Sequence, residues 1–183
     1  MHGVVSLLED KYYRLVEDLW AELEKEFGVR GVYITPYPHF SYQVASHYNT
    51  ELLEPILRDF ASSSTAFQIS ADGLGIFTGA SPVLYIPVVR SQELNRFHAA
   101  LWQEISQAGA GIVDYYLPEY WMPHITIGFG DVNRDILPQI VRLLSERDFN
   151  WEMTVDNVAL IYDTGSKQEL KSRFDFGKPS PNK

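Results

Sequence analysis

The sequence predicts an α+β fold: a single bilobal domain over residues 1–183, with antiparallel sheets lining a central cleft and helices outside. Hydrophobic residues at 45% and charged residues at 21% are the balance of a chain that folds around a core. The two halves repeat one order of elements: amphipathic helix, turn, strand carrying a histidine, Asn-capped helix containing proline, then two strands. His39 and His124 stand 85 positions apart, and Pro55 and Pro138 stand 83 apart, so the repeat period is nearly constant. A period of that size implies an internal duplication about a pseudo-two-fold axis. The lobes then cover approximately 1–90 and 91–183, with exchange of the terminal helix or strands between them allowed.

Leu8, Tyr12, Leu15, Leu19 and Leu23 recur at helical spacing from Ser6 to Phe27, Ser6 with Glu9 reads as a capping box, and Gly28 stops the helix. Gly31 to Val44 is rich in aromatic and branched residues and predicts a strand entered through a turn at Pro36 and Pro38. Asn49 or Thr50 caps a helix to about Phe60, and Ser62 to Ser64 forms the next loop. Ala66–Ser70 and Pro82–Val89 are strand candidates. Asp72 to Gly79 between them holds three glycines, but no helical pattern opens after Gly79, so a hairpin connection is preferred to a dinucleotide cradle.

Ser91 opens a second amphipathic helix, with Leu94, Phe97, His98, Leu101, Trp102 and Ile105 on one face and Gly109 as its stop. A strand near His124–Phe129 follows the aromatic stretch Tyr115–Trp121. Asn133 then precedes a helix carrying Ile136, Leu137, Ile140, Val141 and Leu144. Trp151, Met153 and Val155 alternate as in a strand, and Val158–Tyr162 is a short apolar run. The polar tail from Lys167 is expected to fray, at least beyond Gly177.

Fifteen Lys and Arg against 24 Asp and Glu give a net charge of −9, the wrong sign for holding an extended nucleic-acid backbone. A small nucleotide or an RNA end, held at a few contacts, remains compatible. With no cysteine there is no disulfide framework, thiolate nucleophile or Cys-ligated metal. Residues 1–8 lack a secretory pattern and no run of about 18 apolar residues occurs, so the expectation is a soluble cytoplasmic protein with no membrane partner.

Two of the five histidines share one setting: Pro38-His39-Phe40-Ser41-Tyr42 and Pro123-His124-Ile125-Thr126-Ile127. Side chains alternate along a strand, so His39 and Ser41 share one face while Phe40 and Tyr42 anchor the other, and the same holds around His124. Two such strands facing each other would surround one tetrahedral phosphate with two imidazoles and two hydroxyls. Histidine titrates near neutrality, so one ring can activate water while the other protonates a departing oxygen. A facial triad of these histidines with a carboxylate is disfavoured, because the repeat brings a hydroxyl and no acid.

The His39-Phe40-Ser41 and His124-Ile125-Thr126 motifs resemble those of the two-histidine (2H) phosphoesterase superfamily, including its 2′,5′ RNA ligase-like and 2′,3′-cyclic nucleotide phosphodiesterase members. The similarity extends over nearly the whole chain, and Gly75–Trp102 looks like that family's linker between lobes. The resemblance implies hydrolysis of 2′,3′-cyclic phosphates, or of related cyclic or 2′-5′ linkages, without metal or cofactor. It implies that His39 and His124 are catalytic and that Ser41 and Thr126 bind phosphate, Ser standing where Thr is commoner. No Arg or Lys can be placed at the phosphate by motif. The alternative is a nucleotide or RNA-end binding module with little turnover. Tyr37, Tyr116, Tyr120 and Trp121 flank the motifs and could stack a base, with ordinary packing as the competing reading. His98 reads as a core histidine and His47 as a loop residue.

Overall fold

A computed structural model describes residues 1–177, so the part of the tail beyond Gly177 expected to fray lies outside the described residues. The order is β1 (His2–Leu7), α1 (Asp10–Phe27), β2 (His39–Tyr48), α2 (Thr50–Ser63), β3 (Phe67–Ala71), β4 (Gly75–Phe77) and β5 (Val83–Pro87). It continues with α3 (Gln92–Ile105), β6 (Gly109–Ile112), β7 (His124–Gly128), α4 (Leu137–Leu144), β8 (Trp151–Val155), β9 (Asn157–Asp163) and β10 (Gln168–Asp175). The strands form three antiparallel sheets, ordered β10-β9-β1-β2-β6, β3-β8 and β4-β5-β7. Each sheet takes strands from both sides of residue 90.

The helices form where periodicity and caps agree. In α1, Tyr12, Val16, Leu19, Trp20 and Leu23 are buried, and Gly28 at φ 73 closes the helix with its N–H on the Glu24 carbonyl. Asn49 and Ser91 cap α2 and α3 through side-chain oxygens that accept from Leu52 and Leu94 N–H. Asn133 caps the turn before α4, accepting from the N–H groups of Asp135 and Ile136. No described helix is long and apolar enough to cross a membrane.

Four local expectations are corrected. Ser6 lies in β1 and caps nothing: its hydroxyl donates to the Asn157 carbonyl and meets the Tyr42 hydroxyl at 2.8 Å, while α1 starts at Asp10. Gly31–Ile34, expected to be extended, is a turn of 3-10 helix. His47 belongs to β2, paired with Ala110 of β6. Gln168–Asp175 does not fray but adds an edge strand to β9.

The main core cluster, beside a smaller one that gathers Val5, Leu7, Ala159 and Ile161, joins all four helices to residues of all three sheets. Phe40 and Tyr42 of β2, with 1% and 0% of their surface exposed, point into it. Fully burying each such ring is worth roughly 1.5–3 kcal/mol, and a slip of one residue would put these rings in the cleft and His39 in the core. Hydrophobic burial thus fixes which face of β2 the histidine occupies.

Candidate active site

β2 and β7 both begin at a histidine preceded by proline, and burial alternates through the first four residues of each. His39 and Ser41 are half-buried around a fully buried Phe40, and His124 and Thr126 are half-buried around a fully buried Ile125. All four line a single cavity of about 260 Å³, together with Trp20, Thr35, Tyr116, Phe129 and Gln168. The two motifs, 85 positions apart in the chain, therefore meet at one space of a size suited to a phosphate and its ester oxygens.

Both rings are held alike. His39 Nδ1–H donates to the Tyr37 carbonyl at 2.5 Å, and His124 Nδ1–H donates to the Met122 carbonyl at 2.6 Å. A carbonyl only accepts, so Nδ1 carries the proton in each ring and Nε2 is the exchangeable site. Neither Nε2 makes a protein hydrogen bond among the described residues. Burial drives the His39 pKa down to about 4, against the bond to Tyr37 that favours the charged ring, and a charge on His124 lowers it further. Burial also lowers His124, opposed by the bond to Met122.

No Lys or Arg is among the described residues lining this cavity. Arg90, on the approach to α3, is committed elsewhere: its Nη1 and Nη2 donate to the Trp121 and Pro118 carbonyls at 2.9 and 2.8 Å, and its Nε donates to Asn95 Oδ1. It secures the segment leading into the second motif. Among the described residues, no group of three or more His, Asp or Glu side chains is placed to hold a metal ion.

A model of the 2′-5′ RNA ligase superfamily matches residues 9–167, most of the chain and both histidine motifs. The chain belongs to that superfamily. Among solved structures of similar fold, TT0787 of Thermus thermophilus is 15% identical with a TM-score of 0.64, covering 96% of this chain and 97% of its own. Escherichia coli LigT complexed with 3′-AMP is also 15% identical, with a TM-score of 0.58 and coverage of 97% and 98%. LigT complexed with ATP, at 12% identity, gives a TM-score of 0.54 and the same coverage. At such identities the likeness is one of fold, which is mixed helix and antiparallel sheet as expected. No curated protein sequence matches. Membership makes the chain a relative of 2H phosphoesterases and RNA ligase-like enzymes.

In this superfamily member the cleft continues beyond the dyad on both sides. Next to His124 and Thr126 lies a groove of about 750 Å³ lined by Phe77, Val83, Tyr115, Tyr116, Tyr120, Met122 and Phe129. Phe77 and Tyr85 stack on each other and both meet the His124 ring edge-on, at 4.9 and 5.2 Å. Next to His39 and Ser41 lies a smaller pocket of about 200 Å³, shared with His2 and Gln168. Tyr116 lines all three spaces.

Of the residues expected to stack a base, only Tyr120 faces this groove as an exposed ring, 66% accessible. Tyr37 packs against Val5, Leu7, Ala159 and Ile161 on the same face of the large sheet as His39 and Ser41, and lines none of the three spaces. Trp121 is corrected outright: it is fully buried and stacked on His98 at 3.8 Å, so neither a base nor solvent reaches it. Trp20, Thr35, Phe129 and Gln168 were missed, because they come from α1, a turn, a loop and β10 with no motif to join them.

His98 is the expected core histidine, 1% exposed, with Nε2–H donating to the Tyr42 carbonyl at 2.9 Å. Burial first, then the nearby Arg90, push its pKa down to about 4 against its backbone bonds. Between that value and the ordinary value near 6.5, the unfolded chain binds a proton that the folded chain refuses. Stability is therefore present above pH 6.5 and declines as pH falls through this window, by up to about 1.4 kcal/mol per unit. Urea midpoints of wild type and His98→Gln should converge on acidification. A constant gap between them would contradict this linkage.

Proposed function

We propose that the chain is a phosphodiesterase that opens 2′,3′-cyclic phosphates, or related cyclic or 2′-5′ nucleotide linkages, by two-histidine acid–base catalysis. The observation that carries this reading is the matched pair of imidazoles on one cavity, each with Nδ1 tied to the carbonyl two residues upstream and Nε2 unclaimed among the described residues. The reading also takes the two motif strands as equivalent walls supplied by the two lobes.

In the reaction, the Ser41 and Thr126 hydroxyls hold non-bridging phosphate oxygens. Neutral His39 Nε2 takes a proton from water as the water oxygen forms its bond to phosphorus. His124, as the cation, gives its Nε2 proton to the ribose oxygen whose bond to phosphorus breaks. A phosphomonoester and a free hydroxyl result, with the proton moved from one ring to the other. His39 suits the base because it is the ring driven to about 4, partly by charge on His124. Running the reaction backwards exchanges the roles.

The groove beside His124 would take the ring carried by the ribose. An exposed tyrosine contributes near the low end of the roughly 1–3 kcal/mol that base stacking is worth. Tyr120→Ala should therefore raise KM about fivefold and leave kcat within about twofold. The deciding experiment supplies 2′,3′-cyclic nucleotides and 2′-5′ dinucleotides to the wild type in chelator. Turnover supports the enzyme, whereas binding without turnover would favour the nucleotide-binding module.

A further inference from the structure

We infer that Trp20 and Trp121 are a matched pair of positioning residues, each using its indole N–H to hold the backbone of one phosphate-binding residue. The inference rests on the proposed two-histidine reaction and names what keeps its parts in register. Trp121 Nε1–H donates to the Ser41 carbonyl at 2.8 Å, and Trp20 Nε1–H donates to the Thr126 carbonyl at 3.1 Å. Each motif thus has its hydroxyl residue secured at the same backbone atom by the same kind of donor. The donors are unrelated in sequence, since Trp121 stands just before the second motif yet holds the first, and Trp20 reaches the second from α1.

The sheet topology explains why such a donor is needed. β6 pairs with β2 only at Ala45, His47 and Tyr48, so it does not accompany β2 through His39–Gln43. Among the described residues β7 is an edge strand with β5 as its one neighbour. Neither motif is therefore clamped between two strands at its hydroxyl residue, and a buried carbonyl there requires some other donor. Indole is a donor only, with a single fixed direction, which suits a rigid anchor.

Trp121 is itself immobilised. Its ring stacks on His98 at 3.8 Å and 21°, its carbonyl accepts from Arg90, and His98 in turn donates to the Tyr42 carbonyl adjoining Ser41. Trp20, 4% exposed, is fixed by the packing of α1 against the core. A displacement of about 1 Å in a catalytic group can cost about 10²-fold in rate, so two edge-held strands are where such support matters most.

The test replaces each indole by a ring without the donor. Trp121→Phe and Trp20→Phe should each lower kcat on the order of tenfold and leave KM within about twofold, because phosphate contacts persist while their alignment loosens. The specific expectation is a crossed pattern of couplings in double-mutant cycles. Trp121→Phe should couple to Ser41→Ala and add independently to Thr126→Ala; Trp20→Phe should do the reverse. Equal coupling to both hydroxyls, additivity throughout, or an effect confined to KM would overturn the inference. Should Phe at 121 prevent folding, the Trp20 cycles decide alone. If the wild type turns over none of the phosphodiesters, the functional reading fails and the positioning inference fails with it; turnover without the crossed pattern overturns the inference alone.

Discussion

His39→Ala and His124→Ala are each expected to lower kcat by roughly 10²–10⁴ and leave the fold intact. The two effects separate because each ring is half-buried at a cavity wall and makes one backbone hydrogen bond, to Tyr37 or Met122. Losing a neutral bond of that kind costs about 1 kcal/mol net, which for a domain of this size shifts Tm by only a few degrees, about 2–4 °C. Losing the proton acceptor or donor removes a whole catalytic contribution. Since both rings act in one transition state, His39→Ala with His124→Ala should be little worse than either alone. Purified variants assayed beside their melting curves give the check. Either single variant keeping more than about a tenth of wild-type kcat would remove that histidine from the chemistry, given the contribution expected of a general acid or base.

What the sequence revealed was whatever is written locally. His39-x-Ser41 and His124-x-Thr126 could be read because the strand period of two puts both chemical groups of each motif on one face, and burial in the structure alternates in step. The helices could be read for the same kind of reason, through caps such as Asn49 and Ser91. β1 could not: it lies inside the large sheet and is buried at all six positions, so it shows no alternation, and Leu7 and Leu8 run directly into the helical pattern. β10 escaped for the opposite reason, being a polar edge strand whose pairing with β9 is set by tertiary contact. The cavity's remaining walls were hidden because Trp20, Phe129 and Gln168 acquire their role only when α1, a loop and β10 are folded together. Trp121 misled because an aromatic beside a motif looks the same in sequence whether it faces ligand or core.

No Lys or Arg is among the described residues lining the cavity, so in the proposed mechanism the two imidazoles supply the positive charge at the phosphate, and activity is expected to favour acid. In that mechanism the competent form of the free protein carries one proton, on His124, with His39 neutral. Burial lowers both rings below their ordinary value near 6.5, His39 to about 4. Above the His124 pKa the singly protonated fraction falls tenfold per pH unit, and below about 4 a second proton removes the base. The profile of kcat/KM should accordingly be a bell with its maximum between about 4 and 6.5, and activity at pH 8.5 should be about 10²-fold or more below that maximum. Bound phosphodiester is an anion and favours the charged rings, so the kcat profile should be displaced to higher pH than that of kcat/KM. Inhibition by a nucleoside monophosphate should strengthen on acidification for the same reason. A kcat/KM that is flat or rises from pH 6.5 to 8.5 would mean that the cation at phosphorus is not histidine, and with it the assignment of His124 as the acid would fall.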